Sequence, residues 1–142
     1  SDVYKRQFKL YALDVGLLRQ LSELDASVLL LSTPGYMEYK GALAENYVLQ
    51  SLTAQFQASF RYWTSGNKAE VDFLLQYDNH IYPIEVKADQ NVTGKSLIQY
   101  EKLFQPVYRI RYSMLNLKQD GNLINIPLFL ADKTKELLKD KS

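Results

Sequence analysis

The order of apolar and polar positions predicts a long helix followed by a β-hairpin. From Tyr39 to Phe56, apolar residues recur at three- and four-residue spacing, which is typical of an amphipathic helix. From Ala69 to Ala88, two runs of β-branched, aromatic and aliphatic residues flank Asp78 and Asn79. Asp and Asn tolerate positive φ, so this stretch is expected to form two strands joined by a tight turn.

Weaker patterns complete an α/β fold with a mixed central sheet flanked by helices. The other predicted elements are a helix that starts near Asp14 and runs through Leu21, a helix over Ser22–Leu31, a strand over Phe60–Trp63, a helix over Lys95–Phe104, a strand over Pro106–Ser113 and an apolar run over Leu123–Leu130. Residues 1–7 lack any amphipathic period and look like a cloning remnant. Residues 8–142 are expected to form one domain, with a helical packing segment (8–38), a core (39–131) and a solvated lysine-rich tail (132–142).

The predicted hairpin turn also predicts a register. With Asp78 and Asn79 as the loop residues, Asp72 lies opposite Glu85, and Glu70 lies opposite Lys87. Strand alternation then gathers these four charged side chains on one face. The opposite face is expected to be apolar and to contain Val71, Phe73, Leu75, Tyr82, Ile84 and Val86. Pro83 lacks the ladder donor, so the register is expected to be vulnerable there.

The facing carboxylates of Asp72 and Glu85 favour a metal site. Like charges directly opposite each other on a sheet are unfavourable, and a hard cation such as Mg²⁺ or Mn²⁺ would compensate them with oxygen ligands. Lys87 lies two residues beyond Glu85, where an ammonium can orient a water or stabilise charge on a phosphate. The alternative is a surface hairpin whose acids are balanced by Lys68 and Lys87.

Glu45 falls on the core-facing stripe of the predicted helix over residues 39–56. A buried carboxylate requires a cation, a metal or hydrogen-bond donors, so Glu45 is a candidate third acid of the site. Alternatively, its place in the first two turns of that helix lets the helix dipole and solvent stabilise the charge.

Composition excludes several classes of site. The chain has no cysteine and a single histidine, His80, so thiolate metal sites, cysteine nucleophiles and histidine-pair zinc sites are ruled out. The formal net charge of +1 does not discriminate between partners. No apolar run is long enough for a membrane span, and a soluble cytoplasmic protein is expected.

Two further motifs bear on contact with nucleic acid. Arg109 and Arg111 alternate on a predicted strand and form a cationic edge, which is either a nucleic-acid contact or simply solvated. The sequence Gly94-Lys95-Ser96 resembles the end of a phosphate-binding loop, but the glycine required earlier in that motif is Asp89. Ordinary helix capping by Gly94 is therefore expected.

Taken together, these motifs resemble a known nuclease signature. Glu45 on a helix, followed by Glu70-Val71-Asp72-Phe73 and then by Pro83-Ile84-Glu85-Val86-Lys87, is similar to the PD-(D/E)xK signature on a restriction-endonuclease-like core. More narrowly, the phrases FKLYALDVGLL, GALAENYVLQSL, AEVDFLL, PIEVKA and NIPLFLA resemble domain-of-unknown-function family 4143. That family forms the C-terminal part of many prokaryotic proteins whose N-terminal part is an AAA+ ATPase.

The resemblance implies a role for each acidic residue. It implies that Asp72 and Glu85 hold Mg²⁺ or Mn²⁺ with help from the Val86 carbonyl, that Lys87 positions the attacking water, and that Glu45 completes the acidic cluster. The implied substrate is DNA or RNA, and the implied partner is the AAA+ ATPase domain of the same full-length protein. Two alternatives stay open: a catalytically silent module that binds the ATPase domain or nucleic acid, and an interaction domain that uses its eleven tyrosines as contact surface.

Overall fold

The computed structural model describes residues 34–57, 60–65, 69–88 and 94–141. The helices predicted near Asp14–Leu21 and over Ser22–Leu31 lie outside these residues. The described elements are, in chain order, α1 (Pro34–Phe56), β1 (Arg61–Ser65), β2 (Ala69–Tyr77), β3 (His80–Val86), α2 (Lys95–Phe104), β4 (Arg109–Ser113), β5 (Lys118–Asp120), β6 (Leu123–Pro127), a 3-10 helix (Leu128–Lys133) and α3 (Thr134–Lys139). No helix in this part of the chain has the length and apolar character needed to cross a membrane.

The strands form one mixed sheet with helices on both faces, as the hydrophobic pattern predicts. The strand order is β1-β2-β3-β4-β6-β5. β1, β2 and β3 are antiparallel, β3, β4 and β6 are parallel, and β5 returns antiparallel to β6. Helix α1 packs with α3 and the 3-10 helix, whereas α2 packs against β2 and β3. The cluster on the α1 side contains Ala44, Val48, Leu52, Phe73, Leu75, Tyr82, Ile84, Val86, Ile110, Tyr112, Ile124, Ile126, Ala131 and Leu138.

The predicted hairpin register is confirmed from the turn to the middle of the strands. Pairing runs from Tyr77 with His80 to Phe73 with Ile84. The two turn residues, Asp78 and Asn79, have φ values of 52° and 63°, as a type I′ turn requires.

Pro83 does not disturb this register. It pairs with Leu74 inside the antiparallel ladder. The backbone N–H of Lys87 points to β4, where it donates to the Tyr112 carbonyl at 2.8 Å, and alternation makes the imide nitrogen of Pro83 face the same side. Pairing with β4 begins at Ile84, so the missing donor falls just before that ladder.

The irregularity lies one strand away, in β2. Arg61 pairs with Leu74 and Trp63 pairs with Val71, so β2 advances three residues while β1 advances two. This is a β-bulge, and it reverses the alternation of β2 at Asp72. The prediction that Val71 shares a face with Phe73 is therefore wrong: Val71 packs with Leu97 and Tyr100 on the α2 side.

The ends of two helical segments also differ from prediction. Helix α1 begins at Pro34, before the predicted start at Tyr39, because proline fits the first turn of a helix, where no N–H donor is required. The tail is only partly solvated: Thr134 and Leu138 are buried, whereas Lys133 and Lys139 are exposed. The Tyr112 hydroxyl lies 2.6 Å from Thr134 Oγ1, and the Thr134 hydroxyl donates to the Ala131 carbonyl at 2.8 Å. These contacts attach α3 to the core.

Candidate active site

Asp72 lies at the bulge and completes the hairpin ladder with its side chain. The residue is 5% exposed, and its Oδ2 atom accepts the backbone N–H of Val86 at 2.7 Å. In a regular hairpin a strand carbonyl would take this position. The carboxylate is thus fixed between β2 and β3, at the end of the sheet where β3 finishes.

Glu85 brings a second carboxylate to the same end of β3. Its side chain is 6% exposed, and its Oε1 atom lies 3.5 Å from Lys87 Nζ. Its Oε2 atom is buried and has no hydrogen-bond partner in the described part of the protein. Burial raises the pKa of Glu85, Lys87 opposes the shift, Asp72 adds to it, and Arg111 opposes it. The charge of Asp72 thus acts on Glu85, although the observed ladder ends at Phe73 and Ile84 and does not include the predicted pairing of Asp72 with Glu85.

Gly94, at the start of α2, leaves the space that this carboxylate occupies. A Cβ atom at this position would lie 2.7 Å from Glu85 Oε2, which is closer than real Cβ contacts. Gly94 is the N-cap residue of α2, and no side chain caps that helix end. Gly94 therefore caps the helix, as the sequence predicts, and its lack of a side chain also makes room for the Glu85 carboxylate.

Lys87 lies beside Glu85, as the spacing predicts. Its backbone N–H is tied to β4 through the Tyr112 carbonyl, and its side chain is 33% exposed. The ammonium therefore contacts a buried carboxylate while it remains accessible to solvent or to a ligand. This combination suits a group that orients a water or contacts a phosphate.

Strand geometry also orients the Val86 carbonyl. In an antiparallel strand, the N–H and C=O of one residue point to the same side. Because the Val86 N–H points to Asp72, the Val86 carbonyl faces the same gap between β2 and β3. Asp72, Glu85 and Val86 thus bring carboxylate and carbonyl oxygens to one end of the sheet.

Glu45 lies on α1, the helix whose last residue, Phe56, contacts the hairpin. The Phe56 ring contacts the Tyr77 ring with centroids 5.0 Å apart, which aligns the end of α1 with the hairpin turn. Glu45 lies about 16 Å back along the helix at ~1.5 Å per residue. Asp72 lies about 16 Å back along β2 at ~3.3 Å per residue. Glu45 is partly buried, and the Glu85 carboxylate lies against the start of α2 on the other face of the sheet.

A three-carboxylate cluster is not assembled in the described part of the chain. Among those residues, no group of three or more His, Cys, Asp or Glu side chains lies close enough to hold a metal ion. The role of Glu45 stays a prediction. The donors that do converge fit a hard cation, because Mg²⁺ is commonly held by one or two carboxylates with water completing its shell. The buried Glu85 Oε2 atom, which has no hydrogen-bond partner, is the observation that supports this fit.

A row of polar residues, Glu85, Arg111 and Asn125, extends the site across the sheet. The sequence predicted only part of this row. Glu85 pairs with Arg111 on β4, and Arg111 pairs with Asn125 on β6. Arg111 was noted as part of a cationic edge, but Asn125 was missed. The signal for Asn125 was present, since it is an amide inside the apolar strand Leu123–Pro127 and is 4% exposed. A buried amide of this kind requires specific hydrogen-bond partners.

Comparison with known protein families identifies the domain. The profile of the family described as Domain of unknown function (DUF4143) matches residues 40–129, which is more than half of the 142-residue chain. The chain belongs to the DUF4143 family. The matched part of this DUF4143 domain contains Glu45, Asp72, Glu85 and Lys87. Neither the curated proteins nor the solved structures gave a match to the chain.

Proposed function

We propose that this DUF4143 domain hydrolyses phosphodiester bonds of nucleic acid with the help of Mg²⁺ or Mn²⁺. The observation that carries the proposal is the buried pair formed by Asp72 and Glu85. Lys87 Nζ lies 3.5 Å from Glu85 Oε1. The Glu85 Oε2 atom has no hydrogen-bond partner among the described residues. Burying a carboxylate in this state is costly unless a cation completes the site or a proton neutralises the charge.

Each residue has a distinct part in the proposed reaction. Asp72, Glu85 and the Val86 carbonyl would hold the cation, which supplies Lewis acidity toward a phosphoryl oxygen when bound. Lys87 orients the attacking water and stabilises charge that develops on the phosphate. The Val86 N–H fixes Asp72 through a 2.7 Å hydrogen bond, and this pre-organises the carboxylate without a metal. Gly94 gives the Glu85 carboxylate its space.

The order of elements supports the same proposal. Helix α1, three antiparallel strands, helix α2 and the parallel strand β4 follow one another along the chain. We infer that this arrangement is the restriction-endonuclease-like core implied by the resemblance to PD-(D/E)xK nucleases. The acidic pair then lies at the expected place on the second and third strands of that core.

A catalytically silent accessory module is the second candidate. It is favoured by the observation that only two carboxylates are coupled at this site, with no third acid in a metal-binding group within the described ranges. In this function the pair would be a remnant. The domain would instead bind nucleic acid or an AAA+ ATPase domain of the same full-length protein.

Cleavage by purified variants separates the two functions. We expect wild-type protein with Mn²⁺ to cleave a labelled DNA or RNA oligonucleotide slowly, and Lys87→Ala to abolish cleavage. The metal-dependent rise in melting temperature should persist in Lys87→Ala, because Lys87 is assigned to water and phosphate and not to the metal.

Lys133→Ala is the matched control for the loss of one lysine. Lys133, at the end of the 3-10 helix, is 53% exposed and pairs with Glu136 on α3. Because Lys133 is not part of the proposed site, this variant should cleave like wild type. Equal cleavage by wild type and by Lys87→Ala would indicate a contaminating nuclease and would remove the enzymatic proposal.

A further inference from the structure

Two groups with opposite electrostatic preferences meet at the start of α2. Glu85 is 4% exposed, and its Oε2 atom has no hydrogen-bond partner among the described residues. A Cβ atom on Gly94, the N-cap residue of α2, would lie 2.7 Å from this oxygen. The carboxylate therefore lies directly against the helix start. A carboxylate oxygen attracts a cation, whereas the N-terminus of a helix attracts an anion.

The start of α2 has the features of an anion-binding helix end. The Gly94 carbonyl accepts the Ile98 N–H at 3.4 Å, so the N–H groups of residues 95–97 precede the first hydrogen bond within the helix. Gly94 provides no side-chain cap, and the first turn contains no acidic residue. Lys95, in that turn, is exposed and adds positive charge. Helix starts of this kind bind phosphate through their N–H groups and dipole.

Glu85 decides which kind of anion fits this helix start. An anion alone would be repelled by the carboxylate, and a cation alone would leave the N–H groups of the first turn without an acceptor. A phosphate group paired with a divalent cation satisfies both sides. Mg²⁺ is commonly held in this way, by one or two carboxylates of the protein together with phosphate oxygens of the substrate.

We propose that the first turn of α2 binds a backbone phosphate of the nucleic acid, next to the cation held by Asp72 and Glu85. This inference rests on the proposed function for its substrate, and it assigns the phosphate contact to a helix outside the acidic motif. The backbone N–H groups of residues 95–97 donate to phosphate oxygens. Because the cation neutralises Glu85, which otherwise repels the phosphate, cation and phosphate strengthen each other's binding.

The test is the effect of Mn²⁺ on the affinity for fluorescein-labelled single-stranded DNA and RNA oligonucleotides of the same sequence. Fluorescence anisotropy gives the affinity in chelator and in millimolar Mn²⁺, and it is read before slow cleavage proceeds. The ratio of the two affinities is the metal-dependent gain. For the oligonucleotide that binds more tightly, we expect a wild-type gain of about 5- to 150-fold, the usual range of coupling between two sites.

Lys95→Pro and Lys95→Ala form a matched pair. Both remove the lysine charge, but only proline also removes the backbone N–H. Proline fits the first position of a helix, and Gly94 has a ψ of 76°, outside the α region that a following proline disfavours. We expect Lys95→Ala to keep the wild-type gain. Lys95→Pro should lose most of it, since a hydrogen bond to a charged group changes affinity by about tenfold or more.

Three results would overturn the inference. They are equal gains in Lys95→Pro and Lys95→Ala, no gain in wild type, and a gain with thymidine 5′-monophosphate but not with the oligonucleotides, which would mean that the site takes a free nucleotide. Melting curves establish that binding is compared on folded protein. If Lys95→Pro is unstable, Ser96→Pro against Ser96→Ala repeats the comparison within the same turn.

Cleavage of the same oligonucleotides keeps the two proposals apart. A loss of gain specific to the proline variant supports the phosphate contact even where wild type with Mn²⁺ leaves the oligonucleotide intact, a result that would refute hydrolysis alone. Cleavage by wild type together with equal gains in the two Lys95 variants would refute the phosphate contact alone.

Discussion

The Asp72 carboxylate accepts the backbone N–H of Val86 at 2.7 Å, so a side chain takes the place of a strand carbonyl in the hairpin ladder. Fold and candidate chemistry therefore depend on the same side chain. A residue at a bulge is released from the regular alternation, which allows its side chain to reach the neighbouring strand. Replacement of Asp72 should consequently affect both stability and metal response, and its variants can separate the two.

Asp72→Ala should destabilise the fold by about 1–3 kcal/mol, because it leaves the buried Val86 N–H without its acceptor. Asp72→Asn keeps an acceptor oxygen and removes the repulsion with Glu85, so in metal-free buffer it should lie within about 1 kcal/mol of wild type. Chemical denaturation measures both values. Millimolar Mn²⁺ should raise the wild-type melting temperature more than that of Asp72→Asn. Equal destabilisation by both substitutions would contradict the acceptor role.

Glu85 should make the stability depend on pH. Burial raises its pKa above the ordinary 4.5 against the opposing charges of Lys87 and Arg111, with Asp72 adding to the rise. A carboxyl that holds its proton more tightly in the folded than in the unfolded protein contributes stability when protonated. That contribution is lost as the pH rises from 4.5 through the raised pKa.

Glu85→Gln removes this dependence because glutamine does not titrate. With chelator present, the melting temperature of Glu85→Gln relative to wild type should increase as the pH rises above 4.5, the ordinary pKa. The quantity to follow is how the difference in melting temperature between Glu85→Gln and wild type changes with pH. Loss of the contact with Lys87 shifts the melting temperature of the variant by the same amount at every pH and does not affect this change. Parallel curves for the two proteins would show that Glu85 titrates normally.

Gly94→Ala should weaken metal binding more than it weakens the fold. The new Cβ would lie 2.7 Å from Glu85 Oε2, so the carboxylate must move. Gly41→Ala provides the control, because nothing lies within 4 Å of a Cβ there and Gly41 is inside α1. It should raise stability by up to about 1 kcal/mol through helix propensity and leave metal affinity unchanged. Calorimetric titration with Mn²⁺ compares the two, and unchanged affinity in Gly94→Ala would contradict the steric fit.

The hydrogen bond between Tyr112 and Thr134 should couple the tail to the sheet. Both residues are fully buried, and their hydroxyl oxygens lie 2.6 Å apart. A double-mutant cycle with Tyr112→Phe and Thr134→Val should give a coupling free energy of about 0.5–1.5 kcal/mol. Urea unfolding of the four proteins supplies the cycle. Additive effects would mean that α3 packs on the core without this bond.

Local signals were sufficient to predict the hairpin and its acids. Asp78 and Asn79 specify the turn, and the alternation beside them specifies a register that the structure follows from Tyr77 to Phe73. Asp72 and Glu85 do lie at the same end of the sheet, but the bulge and the hydrogen bond to Val86, and not a regular charged face, place Asp72 there. Helix Lys95–Phe104 was predicted with its observed bounds because its periodicity is strong.

The bulge and the docked tail were not predictable from local patterns. The bulge is defined by the pairing of β2 with β1, which involves a strand distant from the hairpin turn, and it moves Val71 to the α2 face. The tail is lysine-rich, and its single buried leucine, Leu138, gives a weak apolar signal. Its burial depends on Tyr112, a residue on another element. Contacts of this kind arise only when the whole sheet is assembled.

Pro83 limits the length of the parallel ladder. Without an N–H on the side that faces β4, β3 cannot extend its pairing from Ile84 back toward the turn. A cavity of about 90 Å³ lies next to the unextended part, among side chains that include His80, Tyr82 and Tyr108. Replacing Pro83 with a residue that has a backbone N–H would allow β3 and β4 to pair closer to the turn. The longer ladder would then close the cavity between them.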